Sequence, residues 1–261
     1  MAYNSYLADQ PIYEPSKSVR KRITRRLVNA QARRMVRFNL ERPIISFTFD
    51  DCPKSAYDNG ISKLETLGWK STIYIASGLF GITNHLGLHM NAAEVLTAQE
   101  AGHEIGGHTY SHCDISAMDL DAAIADINQN RQAFRKVGLP PCPTFAYPYG
   151  QTTIATKKNL SRQYKGMRGI RSGAMRGTVD LNQINSSPLF TGQPVEKLLE
   201  QINSLPLNSW TTIFTHDIRE NPSKWGCTPS EIDAVIAAVK DSGAEVLTVS
   251  GAIEKIEANA L

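Results

Sequence analysis

Asp50 and Asp51 are adjacent carboxylates that close the apolar run from Ile44 to Phe49. Two neighbouring carboxylates repel and cost stability unless a cation or a proton sits between them. Further along, His108 and His112 stand four residues apart. Histidines at that spacing share one helical face and can bind one cation, as they do in HExxH helices. A hydrolytic zinc site keeps three protein ligands and leaves one position for water. His108, His112 and one of the two aspartates supply three ligands, and the second aspartate is then free to take a proton from that water. Blander readings exist for each piece. Asp51 precedes Cys52 and Pro53, and an acid before proline is a normal helix start. The histidines could be a packed pair or part of a solvated turn.

The elements that would position these groups follow from periodicity. The Ile44–Phe49 run reads as a strand buried on both faces. Its acids then lie at the C-terminal end, where sheets and barrels of parallel strands place their chemistry. Further strands are expected at Ser71–Ala76, His103–His108, Thr144–Tyr147, near Met167–Ile170, at Trp210–Thr215 and at Val246–Val249. Helical spacing falls between them over residues 56–67, 91–101, 119–137, 152–163, 195–204, 229–242 and 252–258. A loop over residues 78–90 carries His85 and His89. Alternation of this kind predicts a parallel sheet covered by helices. About seven strands without an internal break predict an α/β chain with a distorted (β/α) barrel over residues 43–261.

Residues 1–42 read as an N-terminal extension. The lead-in to residue 16 is irregular, with Pro11 and Pro15. A basic amphipathic helix is expected from Ser18 to about Phe38, with Val19, Ile23, Leu27, Ala30 and Val36 on one side. Arg20, Arg22, Arg25, Arg26, Arg33 and Arg37 cover much of the rest. Between Lys17 and Arg42 stand ten Lys or Arg and one acid, Glu41, so this stretch carries +9 against +3 for the whole chain. An anionic membrane surface, an acidic glycan or a nucleic acid would suit such a helix. The favoured reading is a helix packed on the domain with a solvated basic face, because the stripe is narrow and holds no Trp or Phe anchor. On that reading the segment is dispensable for chemistry.

Composition bounds the rest. A chain of 261 residues, 41% hydrophobic, can bury a full core. No apolar run approaches the roughly 20 residues of a membrane span, and no basic start with an apolar run marks a secretory signal. Four cysteines without CxxC spacing are too sparse for a disulfide framework. A cytoplasmic protein is therefore expected. Cys52 and Cys113 follow the two ligand motifs and can be read as soft ligands or, preferably, as small packed residues.

Thr48-Phe-Asp-Asp51, His108-xxx-His112, Phe145-Ala-Tyr-Pro-Tyr-Gly150 and Ile213-Phe-Thr-His216 together resemble, in order and spacing, the polysaccharide deacetylases. These are the NodB-homology domains of carbohydrate esterase family 4, and the resemblance covers residues 43–253. It implies metal-dependent removal of N- or O-acetyl groups from an acetylated amino-sugar glycan or its precursor. By position, Asp50 resembles the catalytic base and His216 the acid that protonates the leaving amine. Asp51, His108 and His112 resemble the ligands of one divalent cation, zinc first, with cobalt, nickel and manganese as alternatives. The Tyr149 backbone N–H resembles the oxyanion donor, with Tyr147 beside it. Trp225 would stack on a sugar face or simply pack. No nucleic-acid partner and no transmembrane segment are expected, and peripheral membrane contact through the basic helix stays open.

Two departures from the family pattern stand out. The Arg that usually tethers the base in the third motif is replaced by Ala146, so Arg168 or Arg171 is expected to hold Asp50 instead. The Asp that usually tethers the acid histidine is missing from residues 166–210, and Asp217 adjoins His216 on a strand, where neighbours point to opposite faces. The alternatives are a same-fold amidase acting on a small cyclic imide or ureide, and a non-catalytic glycan- or membrane-binding module.

Overall fold

The computed structural model describes residues 12–13 and 18–261, with the side chains of residues 19–22 left aside. The lead-in expected over residues 1–16 lies outside the described residues, except for Ile12 and Tyr13. Strand β1 (Ile44–Asp50) is buried at all seven positions. It lies inside a curled sheet with β2 (Thr72–Ile75), β3 (Glu104–Gly107), β4 (Thr144–Ala146), β5 (Gly166–Arg168), β6 (Ser187–Pro188) and β7 (Ser209–Thr215). The order is β6-β7-β1-β2-β3-β4-β5, and every pairing along it is parallel. At one end of this path, Arg168 of β5 also forms an isolated parallel bridge with Ile184, which lies ahead of β6. The expected distorted barrel of about seven parallel strands is thus the fold observed. Met175–Arg176 adds a short antiparallel strand on β7, which makes the sheet mixed.

Helices cover the outside and bury the main core, in which Phe47, Ile73 and Ile105 meet Val95, Phe134 and Val235. Helix starts are marked by their sequence. Asn91 and Thr228 form capping boxes with Glu94 and Glu231, which satisfies backbone donors that a helix end leaves free. The last strand is shorter than expected. Only Glu245–Val246 pairs, beside the start of β1. Thr248 accepts the Gly251 N–H and starts the Val249–Ala258 helix, so the apolar run belongs half to strand and half to helix.

The N-terminal stretch departs most from expectation. Its helix is Val19–Ala30, not residues 18–38. Ala32 takes a left-handed φ of 49°, and Met35–Arg37 is a strand paired antiparallel with Thr178–Asp180. Phe38 and Leu40 are buried in a second core with Trp210 and Ile253. Residues 34–40, placed by sequence in the extension, are therefore packed into the body. Two basic side chains interlock the pieces. Arg34 donates to the carbonyls of Ser161, Tyr164 and Lys165 at the end of the Ile154–Leu160 helix. Lys157 of that helix is fully buried and donates back to the carbonyls of Asn29 and Gln31 at 3.3 and 3.0 Å. Cations suit helix C-termini, where carbonyls lack partners and the helix dipole is negative.

Candidate active site

β1 ends in Asp50, and the chain then turns through two left-handed residues, Asp51 (φ 59°) and Cys52 (φ 51°). Cys52 packs beneath the turn, buried, with its sulfur 3.0 Å from that of Met90. The following helix starts at Pro53 without a side-chain cap, so Asp51 is not a helix cap. Its Oδ1 lies 3.8 Å from His108 Nε2 and 3.5 Å from His112 Nε2.

The two histidines follow β3 on a loop, not on the helix their spacing suggested. Left-handed Thr109 (φ 63°) and His112 (φ 53°) curl this loop and bring the rings to 4.9 Å between centroids. Asp126 pins the curl by accepting from Tyr110 N–H at 2.6 Å and from Ser111 Oγ at 2.6 Å. Among the described residues six non-glycine residues have positive φ, and five of them, including Tyr149, belong to the turns of this site. Each costs on the order of 1 kcal/mol or more, and such strain gathers where side-chain placement is functional.

These three residues fit one divalent cation. Their ligand atoms all lie within 4.8 Å of one another. Asp51 Oδ1 is buried and has no hydrogen-bond partner among the described residues. His108 Nδ1 faces the Ala146 carbonyl at 2.8 Å, and a carbonyl only accepts, so Nδ1 carries the proton and Nε2 keeps its lone pair. Burial holds His108 down to about 3 and His112 down to about 4, so both are neutral near pH 7. Burial also pushes Asp51 up to about 6, against the pull of His216 and His89. A nearby positive charge would bring it down again.

Asp50 is held differently. Its Oδ2 accepts from Arg168 Nη2, and its Oδ1 has no partner among the described residues. Burial alone would raise this carboxyl, but Arg168, His108 and His216 outweigh it and keep it below the usual carboxylate range. Arg168 is fully buried on β5, between the rings of Tyr74 and Phe214 at 5.1 and 4.8 Å. It is the in-register partner of Ala146 on β4. Arg171, the other tether expected, is exposed, and its backbone carbonyl accepts from Ser186 N–H at 2.8 Å. It does not reach Asp50, because it lies beyond the strand on the loop that leaves the barrel.

His216 leaves β7 with its Nδ1 3.1 Å from the Trp225 carbonyl, which also accepts the His216 N–H at 3.2 Å. Nδ1 therefore donates, and Nε2 is the atom left for chemistry. Asp217 points elsewhere. It is fully buried and accepts from Arg219 Nε, Ser223 N–H and Ser223 Oγ at 2.8, 2.8 and 2.6 Å. Gly226 presses on it so closely that a Cβ there would lie 2.2 Å from the Asp217 carbonyl oxygen. The 217–227 loop is thus tied at both ends around the carbonyl that holds His216.

A cavity of about 600 Å³ opens over these groups. Asp50, Asp51, His108, His112, His216, Tyr147, Tyr149 and Trp225 all line it. Tyr149, left-handed after Pro148, sets its ring against His112 at 4.7 Å. Tyr147 is buried, with its hydroxyl on the Asn182 carbonyl at 3.1 Å. Cys113 lines the cavity but is not among the clustered ligand atoms, and burial raises its thiol to about 11. Several lining residues were not assigned to the site from sequence. His85 stands on a small hairpin, Thr83–Asn84 with Gly87–Leu88, and meets Trp225 at 5.3 Å. Phe190 meets His216 at 5.7 Å, and Tyr13 and Arg25 come from the N-terminal stretch. Only His85 had a hint, its place in the loop after a strand's C-terminal end.

Known proteins resemble this chain over part of its length. The family described as polysaccharide deacetylase matches residues 38–167. A probable peptidoglycan-N-acetylglucosamine deacetylase of Arthroderma benhamiae is 30% identical over 127 residues, covering 44% of this chain and 26% of that protein. A chitin deacetylase of a Pestalotiopsis species is 28% identical over 104 residues, covering 40% of this chain and 33% of that protein. The chain thus matches about a quarter to a third of the length of these relatives. Two solved structures share the fold. The chitin deacetylase of the fungal pathogen Colletotrichum lindemuthianum has a TM-score of 0.57 at 18% identity, over 82% of this chain and 89% of that one. A family 4 acetyl xylan esterase of Clostridium thermocellum, solved with a cobalt ion, has a TM-score of 0.57 at 21% identity, over 82% and 92%. Through residues 38–167 the chain belongs to the polysaccharide deacetylase family.

Proposed function

We propose that this chain is a metal-dependent deacetylase that hydrolyses the N-acetyl group of an amino sugar within a glycan or glycan precursor. The observation that carries this reading is the pair of adjacent carboxylates in different settings. Asp51 faces two neutral histidines, while Asp50 is ion-paired with Arg168. Asp51 Oδ1, His108 Nε2 and His112 Nε2 would hold the cation, which when bound supplies a Lewis acid for water and for the acetyl carbonyl. Asp50 takes the proton of the attacking water at Oδ1, the oxygen that Arg168 leaves free. Arg168 keeps Asp50 ionised and fixes its rotamer. The Tyr149 N–H donates to the carbonyl oxygen as it gains negative charge. His216 gives a proton from Nε2 to the leaving amine, so that acetate and a free amino sugar result. Tyr149 and Trp225 present ring surface to the sugar.

The intact ligand set favours this reading over an imide amidase or a silent binding module. The relatives act, by their names, on chitin and peptidoglycan, which supports an acetylated amino sugar as the substrate class. An acetate-release panel of N-acetylated and O-acetylated saccharides, with and without added Zn²⁺ or Co²⁺, tests it. Release from N-acetylated members only with metal is the expected result. Metal-independent release, or none from any acetylated sugar, overturns it.

A further inference from the structure

The Val19–Ala30 helix sits on the body with Ile23 and Leu27 of its apolar stripe facing out. Among its described side chains Val28 is the buried one, and Lys157 grips the carbonyl of Asn29. Ile23 and Leu27 lie roughly 100–140° around the helix from Val28 and are 53% and 55% exposed. A surface helix of a soluble domain normally does the reverse and turns such a pair inward. The charges do not explain the exposure away. The helix carries five Lys or Arg and no acid. Arg25 and Arg26 form no ion pair among the described residues, and Arg26 is exposed.

An exposed apolar pair flanked by uncommitted cations fits one occupant best. A nucleic acid or an acidic protein would take the charges and leave Ile23 and Leu27 in water. A second copy of the chain would cover the apolar pair and set two strongly basic helices against each other. A bilayer with anionic headgroups takes both, with the apolar side chains at the acyl boundary and the arginines among the phosphates. No helix among the described residues is long and apolar enough to cross a membrane, so the contact is one of lying on the surface.

We infer that the Val19–Ala30 helix docks the protein on an anionic lipid surface. The same helix contributes Arg25 to the catalytic cleft, so docking sets the cleft beside the membrane. Resting on the deacetylase reading, the substrate is then a glycan carried on a membrane lipid.

Full-length protein is sedimented with vesicles of phosphatidylcholine alone and of phosphatidylcholine with phosphatidylglycerol, and the same is done for Ile23→Ser/Leu27→Ser and for Arg26→Glu. The expected result is binding to the anionic vesicles at least about tenfold tighter than to neutral ones, weakened by salt, lost in the double serine variant and reduced in Arg26→Glu. No binding to anionic vesicles, or binding that the double variant keeps in full, overturns the inference. So does a concentration-dependent dimer in wild type that the double variant abolishes while vesicles stay empty. Metal-stimulated acetate release from a soluble N-acetylated oligosaccharide is measured in parallel and should be equal in all three proteins. Its absence in wild type would count against the deacetylase reading alone, since vesicle binding is scored without it.

Discussion

Arg168 stands on β5 directly across from Ala146 on β4, and its guanidinium holds the Asp50 carboxylate. In the family that the sequence resembles, the tethering arginine stands at the position of Ala146. In parallel register the two positions share a face, so the same ion pair is reached from the neighbouring strand. Arg168→Ala should cost about 3–5 kcal/mol of stability, because it leaves a buried carboxylate unpaired. With Arg168 gone, burial dominates and the Asp50 pKa rises. The acid limb of the pH–rate profile should therefore move to higher pH. Adding Ala146→Arg to Arg168→Ala should restore part of both. An unmoved acid limb in the single variant would mean that Arg168 does not set the state of Asp50.

Asp50 and Asp51 should separate cleanly in their variants. Asp50→Asn keeps shape but cannot take a proton, and turnover should fall about 10²–10⁴-fold with metal content intact. Asp51→Asn should lose metal first and activity in consequence, with partial rescue by excess Zn²⁺. Metal content and turnover across a Zn²⁺ series check this. Rescue of Asp50→Asn with none for Asp51→Asn would reverse the two roles.

Metal-free protein should be acid-sensitive. His108 and His112, at about 3 and about 4, lie below the unfolded value near 6.5. A depressed folded pKa gives stability that is present above the unfolded value and lost as pH falls toward the folded one. Asp51, raised to about 6, acts in the opposite sense, since its stabilising share is complete below about 3.9 and lost as pH rises through 6. Two histidines outweigh one acid, and buried His89 and His103 are also held down, chiefly by burial. The melting temperature of chelator-treated protein should therefore drop between pH 7 and pH 4.5. A flat profile there would contradict the neutral-histidine picture.

Removal of residues 1–42 should unfold or strongly weaken the protein, contrary to the dispensability expected from sequence. Phe38 and Leu40 are core residues, and a Phe→Ala change in such a place costs about 3–5 kcal/mol. Thermal melts of the truncation and of Phe38→Ala should both show the loss. A truncation with unchanged melting temperature would mean that the packing seen for residues 34–40 is incidental.

The 217–227 loop should matter through His216. Asp217→Ala frees Ser223 and Arg219, and Gly226→Ala forces a clash with Asp217. Both should lower turnover while metal content stays at wild-type level, because no ligand of the cation is touched. Metal loss in step with activity would place the effect in general unfolding instead.

The sequence by itself determined the strand–helix alternation, the burial of β1 and the candidate metal set of paired acids and paired histidines. Those follow from local chemistry, since periodicity reports which face is apolar and the order Asp-Asp, His-x-x-x-His, His marks one rim of a parallel sheet. The tertiary structure decided what depends on residues far apart in the chain. The choice of Arg168 over Arg171 comes from the register of β4 and β5. The use of the Trp225 carbonyl on His216 comes from a loop fold that leaves no side-chain signature. The convergence of His108 and His112 comes from left-handed turns at Thr109 and His112, a conformation that residue type does not announce. The outward turn of Ile23 and Leu27 was decided the same way. Helical spacing shows that a stripe exists, and only the packing of Val28, Arg34 and Lys157 shows which side of the helix meets the protein.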